Sequence, residues 1–144
     1  MSVVRVAPHL LAGVAALESV VFARPWSEQA LGLLCGENAF GFACVTGDTV
    51  TAYGGMLTVL DEGQITNIAT HPDHRRQGLA GSVLSALLDE ARARGVAFVT
   101  LEVRASNAAA IALYEKFGFQ TVGKRSRFYT NPTEDALLMQ CALT

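Results

Sequence analysis

Charge is scarce in this chain: Asp, Glu, Lys and Arg make up 17% of its 144 residues against 51% apolar ones, and the net charge is -2. That balance excludes a disordered chain, and so small a net charge excludes bulk attraction to nucleic acid. Long apolar runs are missing as well. None approaches the roughly 18 residues that a membrane-spanning helix needs. The first twenty residues carry Arg5 and Glu18 without the three-part layout of a secretory signal. A soluble, cytoplasmic protein with no membrane partner and no direct nucleic-acid binding is therefore expected. The three cysteines, Cys35, Cys44 and Cys141, are far apart and in apolar surroundings. They offer neither a disulfide framework nor metal-ligand spacing, so no metal is expected and all three are read as buried core residues. No repeat, low-complexity tract or Pro/Ser-rich linker interrupts the chain, and residues 1–144 are expected to form a single domain.

What charge there is lies unevenly. Residues 1–74 hold Arg5 and Arg24 against seven acidic residues, while residues 75–144 hold nine basic residues against six acidic ones. Such a division suits a protein that receives a cation in one place and a polyanion in another; chance is the alternative.

Periodicity supplies the elements. Val3, Val4 and Val6 are β-branched, and residues 3–6 read as a first strand. Pro8 followed by Leu10, Leu11, Val14, Leu17, Val20 and Val21 reads as a helix with one buried face. Pro25-Trp26-Ser27-Glu28 breaks the chain, with Ser27 placed to cap a short helix to about residue 35. Strands over 40–45, 51–60 and 64–70 follow, separated by turns at 46–49 and 61–63, as an antiparallel meander. Leu79, Val83, Leu84, Leu87, Leu88 and Ala91 recur at helical spacing up to a C-terminal Gly95. A strand over 96–103, a helix capped by Asn107 and ended at Gly118, and strands over 120–127 and 136–143 complete the chain. The fold class expected is α+β (α/β): a mixed sheet of about seven strands flanked by about four helices, parallel only where the strand before residue 79 meets the one after residue 95.

The segment Arg75-Arg76-Gln77-Gly78-Leu79-Ala80-Gly81 lies between a strand and the strongest helix. A helix N-terminus offers unpaired N–H groups and partial positive charge, small residues let a phosphate approach the backbone, and two arginines add charge. The P-loop and the dinucleotide fingerprint do not match, because the Gly-Lys-Ser/Thr and the three-glycine frame are absent. A helix start with no ligand would also satisfy this composition.

Arg75, Gly78 and Ala80 fit the pattern Arg/Gln-x-x-Gly-x-Gly/Ala, which resembles the pyrophosphate loop of the GNAT superfamily of acyl-CoA N-acyltransferases. Asn67-Ile68-Ala69-Thr70 resembles that superfamily's strand for the pantetheine arm, and Asn107 with Leu113-Tyr114 and Gly118-Phe119 resembles its later helix. The stretch Leu101-Glu102-Val103-Arg104-Ala105-Ser106-Asn107 through Tyr114 is similar to the RimI group of ribosomal-protein alanine N-acetyltransferases, and Pro25-Trp26-Ser27-Glu28 and Asp61-Glu62 fall at matching intervals. The resemblance spans nearly the whole chain.

It implies acetyl-CoA as cosubstrate, held by Ile68, Ala69, Thr70, residues 75–81 and Asn107. It implies Glu102 as general base and Tyr114 as general acid, and Trp26 and Tyr129 at a peptide groove. The acceptor implied is a protein N-terminus, that of a small-subunit ribosomal protein beginning with alanine; lysine, a polyamine or another small amine is the alternative within the class. A non-catalytic acyl-CoA-binding module is the alternative outside it. Read as residues alone, Glu102 also fits a solvated strand end, Tyr114 a packed aromatic, and Trp26 a core anchor. Tyr114 follows Asn107 by two helical turns, so both point from nearly one face. His71 and His74, around Pro72, are read as surface-loop residues, and the basic cluster Lys124-Arg125-Ser126-Arg127-Phe128-Tyr129 fits a substrate-facing loop, a nucleic-acid patch or a solvated strand end, six residues being too few to claim RNA binding.

Overall fold

The computed structural model describes residues 1–130 and 132–143. Among the described residues seven strands form one sheet in the order β1-β2-β3-β4-β5-β7-β6. They are β1 (Ser2–Arg5), β2 (Ala39–Thr46), β3 (Thr49–Val59), β4 (Glu62–Thr70), β5 (Phe98–Arg104), β6 (Gln120–Tyr129) and β7 (Glu134–Ala142). The helices are α1 (Leu11–Val21), α2 (Glu28–Leu31), α3 (Leu79–Ala93) and α4 (Ala108–Lys116). The expected order, count and mixed pairing all hold: β4 and β5 are the parallel pair, and the other neighbours run antiparallel.

Each face of the sheet buries its own apolar cluster. On one, the α3 stripe Leu79, Val83, Leu84, Leu87, Leu88 and Ala91 packs on Phe40, Met56, Val99, Leu101 and Val103, with Tyr114 and Phe119 from the α4 side. On the other, Val14 and Leu17 of α1 and Leu31 and Leu34 pack on Ala43, Tyr53 and Ala69. Each large side chain so buried contributes about 1.5–3 kcal/mol. The second cluster lies over β2 to β4, and among the described residues no helix covers the same face of β5, β6 and β7.

Two differences from the sequence reading have clear causes. The β3–β4 reversal is a two-residue turn at Leu60 and Asp61 rather than at 61–63. Gly63 is in the strand, where a Cβ would come within 2.7 Å of Met56 Sδ and displace it, so packing and not turning favours glycine there. Cys44 and Cys141 are buried as expected, but Cys35 is exposed. It ends a 3-10 turn (Gly32–Cys35) whose one buried residue is Leu34, so the thiol falls on the outer side.

Candidate active site

The pairing of β4 with β5 is short. Glu62, Gly63 and Gln64 face Phe98, Val99 and Thr100, and beyond them the strands part. A bulge in β4 accompanies the parting. Gly54 pairs with Ile68 and Met56 with Ile65, so Gly55 alone faces Thr66 and Asn67. Two consecutive residues opposite one bend the strand and put both on one face. Glycine at 55 leaves room for the bulge: a Cβ there would lie 2.6 Å from Thr66 Oγ1 and 2.8 Å from Leu34 Cδ2, and both side chains would have to shift. The β4 edge from Ile65 onward therefore faces an open split, its inward backbone groups unpaired with β5.

Beyond β4, Pro72–His74 forms a 3-10 turn and residues 75–78 lead exposed into α3. Gly78 caps that helix at φ 75°, a left-handed conformation that costs an L-residue about 1–2 kcal/mol. No side chain caps the N-terminus, and its first turn holds no acidic residue. The first intrahelical bond is Ser82 N–H to Gly78 C=O, 3.1 Å, which leaves the N–H groups of Leu79, Ala80 and Gly81 without helical partners. With Arg75 and Arg76 ahead of it, this end is open to a polyanion.

Strand alternation separates the reactive candidates. Leu101 and Val103 face α3 and α4, so Glu102 faces the uncovered side, while Tyr114 rises from α4 beneath the other. The split joins them. A cavity of about 380 Å³ passes through it, lined by Glu102, Tyr114, Asn107, Ile68, Trp26 and Tyr129 among others. A second hollow of about 470 Å³ extends over the uncovered face past Glu62, Gln64, Thr100, Arg125 and Leu138.

Glu102 Oε2 is buried and accepts no hydrogen bond among the described residues; Arg125 Nε, at 3.8 Å, is near enough to attract it and too far to donate. Burial pushes the Tyr114 phenol up to about 12, with the neighbouring Tyr129 a smaller cause. Tyr129 is likewise raised, first by burial and then by the negative charge of Glu102. Its ring lies 4.5 Å from the guanidinium carbon of Arg104, which donates to the carbonyls of Thr130 (3.0 Å) and Pro132 (3.1 Å). The β6–β7 connection is thereby fastened to β5.

Residues 11–119 match the family described as Acetyltransferase (GNAT) family. The chain is 44% identical over 125 residues to the [ribosomal protein bS18]-alanine N-acetyltransferase of Escherichia coli K12, covering 85% of this chain and 84% of that one. It is 32% identical to the enzyme of the same name from Haemophilus ducreyi, over 85% and 87% of the two chains. The crystal structure of the ribosomal-protein-S18-alanine N-acetyltransferase from Escherichia coli superposes with a TM-score of 0.91 at 39% identity, covering 99% and 94%. The chain belongs to the GNAT family. It is accordingly an acetyl-CoA-dependent N-acetyltransferase.

The donor set fits that cosubstrate: uncapped helix N–H groups and two arginines suit the phosphates, and the unpaired β4 edge suits an amide-bearing arm. Of the residues expected in this GNAT site, Trp26, Ile68, Glu102, Asn107, Tyr114 and Tyr129 meet at the cavity. Ala69 does not line it: its side chain is buried in the second core, so only its backbone can serve a ligand. Thr70 and residues 75–81 also lie outside the cavity lining, toward the α3 N-terminus, and the Leu79 side chain belongs to the first core. Asn107 Oδ1 caps α4 by accepting from Ala110 N–H at 3.2 Å. Trp26 both lines the cavity and packs against the second core, so its two readings are compatible. His71 and His74 stack edge to face on the loop, and no metal-binding group occurs among the described residues. No described helix is long and apolar enough to cross a membrane.

Sequence reasoning missed Glu18, Asn67 as a side chain, and Arg104. Glu18 is wholly buried and accepts from Trp26 N–H (2.8 Å), Asn67 Nδ2 (3.0 Å) and the Tyr53 hydroxyl. The signal was available: Glu18 falls on the α1 stripe with Val14 and Leu17, where a lone acid must find donors. The Asn67 side chain bears on the site only through the bulge, which the sequence does not announce.

Proposed function

We propose that this acetyltransferase transfers the acetyl group to the N-terminal α-amine of a protein, a small-subunit ribosomal protein beginning with alanine, by direct transfer in a ternary complex. The names of its relatives in Escherichia coli and Haemophilus ducreyi favour that acceptor. The cytoplasm is the compartment this reading implies. The observation that carries it is the buried Glu102 Oε2, which accepts no hydrogen bond among the described residues, in a cavity also lined by Tyr114.

Acetyl-CoA supplies the activated acetyl thioester, with its phosphates at Arg75, Arg76 and the N–H groups of Leu79, Ala80 and Gly81 and its arm along Ile68, Ala69 and Thr70. Glu102 accepts the proton that the entering ammonium must lose before its nitrogen can attack. An α-amine, with a pKa near 8, is already partly neutral at physiological pH, whereas lysine, near 10.4, demands more of a single carboxylate. A backbone N–H on the open β4 edge near Ile68 or Ala69 meets the charge that develops on the carbonyl oxygen. Tyr114, held neutral by burial, donates its proton as the thiolate departs. Trp26 and Tyr129 wall the acceptor side.

Mass spectrometry of acetyl transfer to a panel of ribosomal-protein N-terminal peptides tests the reading. Acetylation of free-amine, alanine-initiated peptides is expected; exclusive modification of N-terminally blocked lysine peptides would overturn it.

A further inference from the structure

Glu18 has no part in the chemistry described so far, yet it joins three elements at the site. Its carboxylate can only accept hydrogen bonds, so each neighbour must turn a donor toward it. Tyr53 and Asn67 donate to Oε2, and Trp26 N–H donates to Oε1. For Asn67 this has a directional consequence. With Nδ2 committed to Glu18, the amide has one sense only, and the opposite atom, Oδ1, accepts no hydrogen bond among the described residues. Asn67 stands on the bulge of β4 and lines both hollows, with Glu102 on the other side of the split.

An α-ammonium carries three N–H donors, and one proton leaves to the base. The remaining N–H groups require acceptors where the amine is lodged in the cavity, and such an acceptor should not itself compete for the proton. A neutral amide oxygen meets both conditions. We propose that Asn67 Oδ1 is a second contact for the acceptor amine opposite Glu102, and that Glu18 is the positioning residue that turns this oxygen toward it. The inference rests on the acceptor amine entering beside Glu102. Trp26, which walls the acceptor side, hangs from the same carboxylate by its backbone N–H, so the acceptor wall and the amine contact are set by one buried group.

The test is steady-state kinetics with an alanine-initiated peptide and acetyl-CoA on the full chain, with melting temperatures recorded alongside. In Glu18→Gln the new amide N–H₂ faces Asn67, which turns its oxygen inward and shows its own N–H₂ to the amine. Acceptor KM should rise about tenfold or more, the loss expected for a hydrogen bond to a charged group, with acetyl-CoA KM within about twofold. Asn67→Ala should reproduce that rise without disturbing the Glu18 bonds to Tyr53 and Trp26, and it carries the test if Glu18→Gln fails to fold. In the exchange Glu18→Gln with Asn67→Asp the new amide N–H₂ donates to one oxygen of the new carboxylate and the other oxygen faces outward, so acceptor KM should recover most of what Glu18→Gln lost, while kcat stays lowered because the added carboxylate competes with Glu102 for the proton. A lower melting temperature with acceptor KM unmoved in both single variants, or no recovery in the exchange, would overturn the proposal. An inactive wild type would overturn the acceptor reading together with it, whereas an active wild type with unmoved variants overturns this inference alone.

Discussion

The proposed cofactor side and the proposed acceptor side of the split are built in opposite ways. The first is contiguous: β4, the exposed residues 75–78 and α3 follow one another in the chain, and the N–H groups of Leu79 to Gly81 are open because of what residues 78–82 do locally. The second is assembled from Glu18, Trp26, Asn67, Glu102 and Tyr129, which come from five separate parts of the chain. A contiguous site tolerates change elsewhere in the fold. A dispersed one depends on buried contacts such as Glu18 and on the Arg104 fastening of the β6–β7 connection. Changes on one side should therefore affect one substrate and spare the other.

The largest expected effect is on the acceptor side. Glu102→Gln should lower kcat/KM by about 10²–10⁴ while acetyl-CoA still raises the melting temperature. Loss of that thermal shift would mean the two sides are not separable. Next, Tyr114→Phe should reduce kcat by about 10² with little change in either KM, read from initial rates at saturating substrates. On the cofactor side, Gly78→Val places a β-branched residue at φ 75°. Acetyl-CoA KM should rise about tenfold, in line with a penalty of about 1–2 kcal/mol, and acceptor KM should stay level. A matched rise in acceptor KM would break the comparison.

The smallest effect is on stability at high pH. Below pH 10 the Tyr114 phenol is protonated in both folded and unfolded chains, and its contribution is fully present. Between 10 and about 12 the unfolded phenol ionises while the buried one keeps its proton, so stability falls as pH rises through that window. Tyr53, also raised by burial and by Glu18, adds to the fall. Melting temperatures from pH 9 to 11 should decline less steeply in Tyr114→Phe than in the wild type.

Element order was legible because period and punctuation agree. The α3 stripe, Ser27 and Asn107 as caps, and the glycines after α3 and α4 each do locally what their residue type favours. The β3–β4 turn was misplaced because Gly63, which reads as a turn residue, is glycine for contact with Met56. Cys35 was misplaced because an apolar neighbourhood in sequence does not say which side of a 3-10 turn faces out.

By itself the sequence determined the strand and helix order, the anion-ready start of α3 and, through its resemblance, the family; the same resemblance implies the proposed pairing of Glu102 with Tyr114. Those depend on neighbours in the chain or on long matching stretches. Only the tertiary structure decided that β4 bulges at Thr66 and Asn67, that Glu102 and Tyr114 lie on opposite faces joined by a split, that Ala69 offers backbone alone, and that a wholly buried Glu18 holds Trp26 and Asn67. The reason is physical: which face a residue occupies after a bulge, and which donors gather around a buried acid, are set by contacts between residues far apart in the chain.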